Sequence, residues 1–311
     1  MKKILTLLLS CVLMVCGAIG LTACGGEKNI TVVAREQGSG TREAFDKVVT
    51  DGNGNYLEMK VDGKKVYKTT SNADIQKETG NVMSKVASDK NAIGYISLGS
   101  VNNTIKVVNV NGVAPSSETV LDGSYAIQRP FVIMTSSTVE LTDIAADFML
   151  YLKSEAAETH ANEAGCIYLA DPVRRANEGE TEIPVVEYTV KSSLPSGGKI
   201  TVNGSTSMEK FIKKAMSGYA SLYGRTADEI FTLDLQGSSV GKTAVQNDKN
   251  GNVIGLSSAS VKESGINSFN VCLDAVAVIV NKSNENINDL TIADLYNIFS
   301  GKVTKFSEIA G

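Results

Sequence analysis

The residues with the densest binding chemistry are Arg35-Glu36-Gln37-Gly38-Ser39-Gly40-Thr41-Arg42. Gly38 and Gly40 let the backbone turn tightly and approach a ligand, while Ser39 and Thr41 add hydroxyls beside the unpaired N–H groups of a first helical turn. A turn of this kind holds an anion. Arg35, three residues before the first glycine, completes the cradle with a planar fork of donors suited to a tetrahedral oxyanion. Taken alone, a Gly-Ser-Gly turn is read first as a helix cap with a flexible hinge. The chain, however, repeats the device at Gly204-Ser205-Thr206-Ser207 and at Gly237-Ser238-Ser239, each between strand-like and helix-like sequence.

The last of these must be weighed against a P-loop. Gln236 stands where the first glycine of G-x-x-x-x-G-K-[ST] belongs, so the run to Lys242-Thr243 misses the spacing by one residue. No aspartate-ending hydrophobic strand of the Walker-B kind accompanies it, and nucleotide chemistry recedes. Other catalysis recedes as well, and the chain reads as no enzyme. Its one histidine, His160, sits in a polar helical stretch that predicts exposure to solvent, and no carboxylate pair falls within a glycine-rich turn. Without a close His or Cys cluster, neither a metal nor another cofactor is expected.

These turns need elements to carry them. The run Ile30 to Val33 predicts a strand and Glu43 to Val49 a helix. Asn53 to Lys68 reads as a surface hairpin, and Ile75, Val82, Met83 and Val86 as one helical stripe. Strands are predicted at Asn91 to Ser97, Ile105 to Val110 and Tyr125 to Met134, where Pro130 marks a strand start or an edge. Leu141 to Glu155 is helical. Residues 171–198, with Pro172, Pro184, Pro195 and Gly197-Gly198, form a connector carrying one strand at Val185 to Val190. The second half adds a strand before Gly204, a helix whose Met208, Phe211, Ile212, Ala215, Met216 and Tyr219 share a face, and strands at Phe231 to Leu235, Val253 to Ser260, ending in hydroxyls, and Leu273 to Asn281. A helix at Ile292 to Phe299 follows.

Lys2 and Lys3 lead into an apolar run from Ile4 to Leu21, then Leu21-Thr22-Ala23-Cys24, which reads as an export signal over residues 1–23. The cysteine after a small-residue pair resembles the bacterial lipobox and implies a lipid on Cys24, with residues 24–29 as a tether to the extracytoplasmic face of the cell membrane. Without the leader the formal charge moves from −4 to −6. A mildly acidic body with no basic run excludes nucleic acid as a partner. Of the cysteines, Cys166 and Cys272 remain, and their apolar neighbours predict buried thiols, with pairing open to an exported chain.

Together, Arg35 to Arg42, Ala92 to Ile96, Tyr125 to Pro130, Gly204 to Ser207, Gly237 to Ser239, Asp274 to Lys282 and Leu290 to Ile309 resemble the phosphate-binding lipoprotein of bacterial ABC phosphate importers. The order differs, because the Arg-x-x-Gly-Ser-Gly-Thr segment comes first here, and the chain resembles a circular permutation joined through 171–198. The resemblance implies an α/β, two-lobed, type II periplasmic-binding-protein fold, each lobe a mixed sheet flanked by helices. One lobe would combine 30–98 with 283–311 and the other would be 99–282, with hinges at Ser97 to Asn102 and Val280 to Asn284. A domain-swapped pair is the competing arrangement. The family's anion contacts fall on Arg35, Ser39, Gly40 and Thr41 from one lobe and on Thr206, Ser207, Ser238 and Ser258 from the other. The implied role is capture of inorganic phosphate and its delivery to an ABC permease.

One departure bears on selectivity. Many relatives carry an acidic residue at the positions of Ser258 and Gln37, which accepts a proton from phosphate and so rejects sulfate. Both are neutral here, leaving Glu36 as a candidate acceptor. A receptor for another oxyanion such as sulfate, and a surface lipoprotein for sensing or adhesion, are the alternatives.

Overall fold

The computed structural model describes residues 28–176 and 182–309. The leader and Cys24 lie outside the described residues. The β-branched and apolar runs form strands β1 (Thr31–Arg35), β2 (Glu58–Val61), β3 (Lys64–Tyr67), β4 (Asp74–Gln76), β5 (Ala92–Ser97), β6 (Ile105–Val110) and β7 (Gln128–Ser136). They continue with β8 (Ile167–Tyr168), β9 (Ile200–Gly204), β10 (Phe231–Asp234), β11 (Val253–Ser257), β12 (Ile266–Asn281) and β13 (Asp289–Leu290). The helices that matter below are α1 (Gly40–Val48), α2 (Thr79–Ser88), α3 (Asp143–Lys153), α4 (Ala156–Ala164), α5 (Glu209–Ser221), α6 (Ser238–Gln246) and α7 (Ile292–Phe299).

Two paired strands, β7 and β12, link the two halves. β12 is 16 residues long, and only its apolar C-terminal half is buried throughout. Its first part pairs with β7, from Ile266 opposite Ser136 to Ala275 opposite Gln128, and a register shift between Asn270 and Cys272 bends it. Its last part lies between β5 and β6. The resulting sheet runs β10-β9-β11-β7-β12-β5-β1-β4. β1 is parallel to β4 and β5, β9 is parallel to β10 and β11, and β7 and β12 run antiparallel to their neighbours. The β2–β3 hairpin stands apart, as the turn-rich stretch before Lys68 predicts.

The core is divided. Phe148, Tyr219 and Phe231 centre one apolar cluster, with Phe131, Met208, Phe211 and Cys272. Phe45 stacks on Tyr95 at 4.1 Å and meets Phe299 edge-on at 4.7 Å in the second, which also holds Val108, Val120, Tyr125, Ile127, Ala275, Val276, Val278 and Val280. The apolar packing changes over at other points than 98/99 and 282/283. β6 binds the C-terminal half of β12, so residues 105–127 pack with the first strands, and the chain changes cluster between Ile127 and Phe131 and between Cys272 and Ala275. Val280, expected at a hinge, is fully buried within the second cluster.

Three local expectations change. Ile75 belongs to β4 and is exposed, and α2 begins only at Thr79. No strand forms over 185–190 among the described residues; a single pairing of Val186 with Ser154 stands in its place. Side chains hold this connector instead. Asp147 of α3 accepts the hydroxyls of Tyr188 (3.0 Å), Tyr219 (2.8 Å) and Tyr223 (3.0 Å) and pairs with Lys191. His160 is half-buried, bonded to Tyr151 Oη at 2.6 Å, because α4 packs its polar-looking face on α5. Cys166 and Cys272 are buried free thiols.

Both described ends meet: Ile30 N–H donates to the Thr304 carbonyl at 2.7 Å. β1 then runs away from them to Arg35.

A candidate anion-binding cleft

Four helical segments start where the two clusters face each other. α1 follows Ser39, whose hydroxyl accepts from Arg42 N–H at 3.3 Å, so this serine caps its helix as the bland reading of Gly-Ser-Gly foresees. A short 3-10 turn at Thr206–Met208 leads into α5. α6 begins at Ser238, and its cap position, Gly237, offers no side chain. α2 begins at Thr79, and the preceding Glu78 makes no capping bond. Unpaired N–H groups and the positive ends of helices thus converge on one place.

Every residue expected to hold an anion is buried there. Across the cleft, Thr41 Oγ1 and Ser207 Oγ are 2.8 Å apart. Ser239 N–H donates to the Gly38 carbonyl at 3.3 Å. Two glycines let the walls close: a β-carbon on Gly38 would lie 2.3 Å from Ser239 Oγ, and one on Gly40 would lie 2.6 Å from Ser258 Oγ and 2.7 Å from Ser238 Oγ. Ser258 Oγ accepts from Ser205 Oγ at 2.9 Å and lies 3.3 Å from Ser238 Oγ, while Ser258 N–H donates to Ser238 Oγ. A single chain completes this arrangement, and exchange of segments between two molecules is not needed for it.

Arg35 is held rigidly. Its Nε and Nη2 donate to the two carboxylate oxygens of Glu36 at 2.9 and 3.0 Å, Nη2 also to the Lys77 carbonyl, and Nη1 to Thr79 Oγ1 at 3.2 Å. Its own N–H donates to Tyr95 Oη, and its carbonyl accepts from Arg42 Nη1 at 2.8 Å. Arg42 in turn pairs with Asp46 at 2.9 Å; burial pushes that carboxyl up to about 6 even though the Arg42 guanidinium opposes the rise.

Sequence reading missed two residues here. Thr79 Oγ1, besides meeting Arg35, lies 3.3 Å from Thr206 Oγ1 and 3.4 Å from Ser207 Oγ. Its only signal was a threonine before Gly80 at a helix start. Ser205 was named as part of the glycine turn but not as a contact, and it braces Ser258. Gln37, by contrast, is exposed to solvent, whereas Glu36 faces Gly237, where a β-carbon would lie 3.1 Å from Oε1. Lys242, the would-be P-loop lysine, pairs with Glu263. A crevice of about 310 Å³ reaches the cleft from outside and ends on Thr79 and Thr206. Among the described residues no group of His, Cys, Asp and Glu is placed to hold a metal.

Comparison with known proteins yields consistent matches. Residues 23–156 and 189–311 match the model of a PBP superfamily domain. The phosphate-binding protein PstS 2 of Streptococcus pneumoniae is 35% identical over 304 residues, covering 93% of this chain and 94% of that protein. The phosphate-binding protein PstS of Bacillus subtilis aligns over only 133 residues at 29% identity, 42% of this chain and 38% of that one. Among solved structures, a phosphate-binding protein of a phosphate ABC transporter from Streptococcus pneumoniae superposes with a TM-score of 0.63 at 33% identity, covering 91% of this chain and all of that one.

Proposed function

The chain belongs to the PBP superfamily, and from that premise we propose that it is an extracytoplasmic receptor that closes two lobes over inorganic phosphate and hands it to an ABC permease, without catalysis. The lobes are the two apolar clusters with their flanking helices: residues 30–127 with 275–309, and 131–272 with the 171–198 connector along its outside. Cys24 carries the lipid that keeps the body at the cell membrane. The Bacillus subtilis protein's half-length alignment suits a chain whose segments follow another order, since a collinear match then captures one half at a time.

One observation carries this reading: Thr41 Oγ1 meets Ser207 Oγ, Gly40 closes on Ser238 and Ser258, and Thr79 Oγ1 links Arg35 to Thr206 and Ser207. A small tetrahedral anion entering between them exchanges its hydration for fixed donors. Arg35 alone brings full charge, already shared with Glu36. That carboxylate accepts the proton of a phosphate and repels a fully ionised sulfate.

Titration calorimetry of the full chain with phosphate and with sulfate tests both points. Phosphate binds one to one and more tightly than sulfate, and Glu36→Gln narrows the gap by about tenfold, the worth of one charge-assisted hydrogen bond. Tighter sulfate binding by the wild type overturns the assignment of phosphate.

A further inference from the structure

We propose that the buried pair Arg129–Asp274 is the pivot on which the lobes open and close, and that it sets the rate at which the anion enters and leaves. This rests on the closing-receptor reading above. The two strands that pass between clusters do so at one register pair. The chain leaves the first-strand cluster at Ile127, just before β7, and β7 joins the other at Phe131; β12 makes the same change between Ala275 and Cys272; Arg129 and Asp274 lie directly opposite one another between these points.

The pair is fully enclosed. Arg129 Nε and Nη2 donate to Asp274 Oδ2 at 3.1 and 2.9 Å, and Ser97 Oγ, at the end of β5, donates to Oδ1 at 2.8 Å. The side chains are 2% and 0% exposed. Burial pushes the Asp274 carboxyl up and lowers Arg129, and each charge opposes the shift of the other. A buried ion pair stabilises a fold no better than well-packed apolar residues of similar size, so stability gives no reason for placing it here. Its physical effect is to interrupt. A polar layer separates two cores that would otherwise merge across the crossover strands and fix the angle between them.

The surroundings fit a pivot. Arg129 Nη1 lies 3.5 Å from the Ser258 carbonyl, on the cleft's own wall. Next to Ser97, Gly99 is pressed against α4, where a β-carbon would lie 2.5 Å from the Ala164 carbonyl oxygen, and its own carbonyl accepts from Lys210 Nζ of α5 at 3.2 Å. Around Asp274, therefore, backbone of one lobe rests on helices of the other.

Stopped-flow mixing of the full chain with phosphate, read by the fluorescence of its ten tyrosines in the absence of tryptophan, measures the two rates. Arg129→Met with Asp274→Leu is expected to melt no lower than the wild type while both association and release slow by at least tenfold, a split that a purely structural role does not give. Ser97→Ala, which frees one side of the carboxylate, is expected to speed release about threefold. Rates within twofold of the wild type in the double variant overturn the proposal, and if that variant does not fold, unchanged rates in Ser97→Ala do so. A wild type that fails to bind phosphate overturns the functional reading instead.

Discussion

The two walls of the cleft are built on different principles. The wall on the Phe45–Tyr95 core carries a guanidinium fixed by Glu36, Lys77 and Thr79, and its Gly38–Thr41 turn is steadied from behind by Arg42 and Asp46. The facing wall, on the Phe148–Tyr219 core, carries no charge among its expected contacts; Ser205, Ser238 and Ser258 bond chiefly to one another. A hydroxyl donates or accepts by rotating, so such a wall adjusts to a guest at small cost, whereas a clamped guanidinium does not adjust. Charge and fixed geometry thus belong to one side, and adaptable hydrogen bonding to the other.

Removing the charge is the most severe way to break that contrast. Arg35→Ala is expected to weaken phosphate binding by about a hundredfold or more, in the range of a lost charge-assisted contact plus a stranded Glu36, and calorimetry reads it directly. Ser238→Ala, on the adaptable wall, is expected to cost about fivefold, close to 1 kcal/mol for a neutral hydrogen bond whose neighbours can turn to compensate. Equal losses in the two variants would erase the distinction. The smallest effect sharpens it from the side of stability. Asp46 binds its proton more tightly folded than unfolded, so its contribution is complete below about pH 4 and is lost as the pH rises through about 6. In Asp46→Asn the denaturation midpoint in urea should lose this decline between pH 4 and 6.5, while phosphate affinity near neutrality changes little.

Much of this was legible in the chain. Glycine followed by hydroxyls, between an apolar strand and an amphipathic helix, marks a turn whose geometry is local, and the three such turns fall where the sequence places them. Thr79 was illegible because a threonine at a helix start is ordinary in one dimension; only the parallel pairing of β4 with β1 brings it beside Arg35. Where the apolar packing divides was hidden for a related reason. β6 is short, and whether it joins the earlier or later residues depends on which half of β12 it meets, a pairing separated by some 170 positions. Val185 to Val190 has strand composition, yet its neighbours offer tyrosine and carboxylate contacts instead of a free sheet edge. His160 was misjudged because the helix face it occupies is covered by α5, and helical spacing alone does not reveal what packs outside.

The hydrogen bond from Ile30 to Thr304 has a consequence for how such a molecule can be rewired. Since Ile30 and Thr304 sit side by side at the other end of β1 from Arg35, a short splice can join the two segments there, and severing the polypeptide within 171–198 would then yield a protein reading Gly204-Ser205-Thr206 before Gly38-Ser39-Gly40. Cargo, dye or surface coupled at that seam would leave the mouth of the receptor unobstructed.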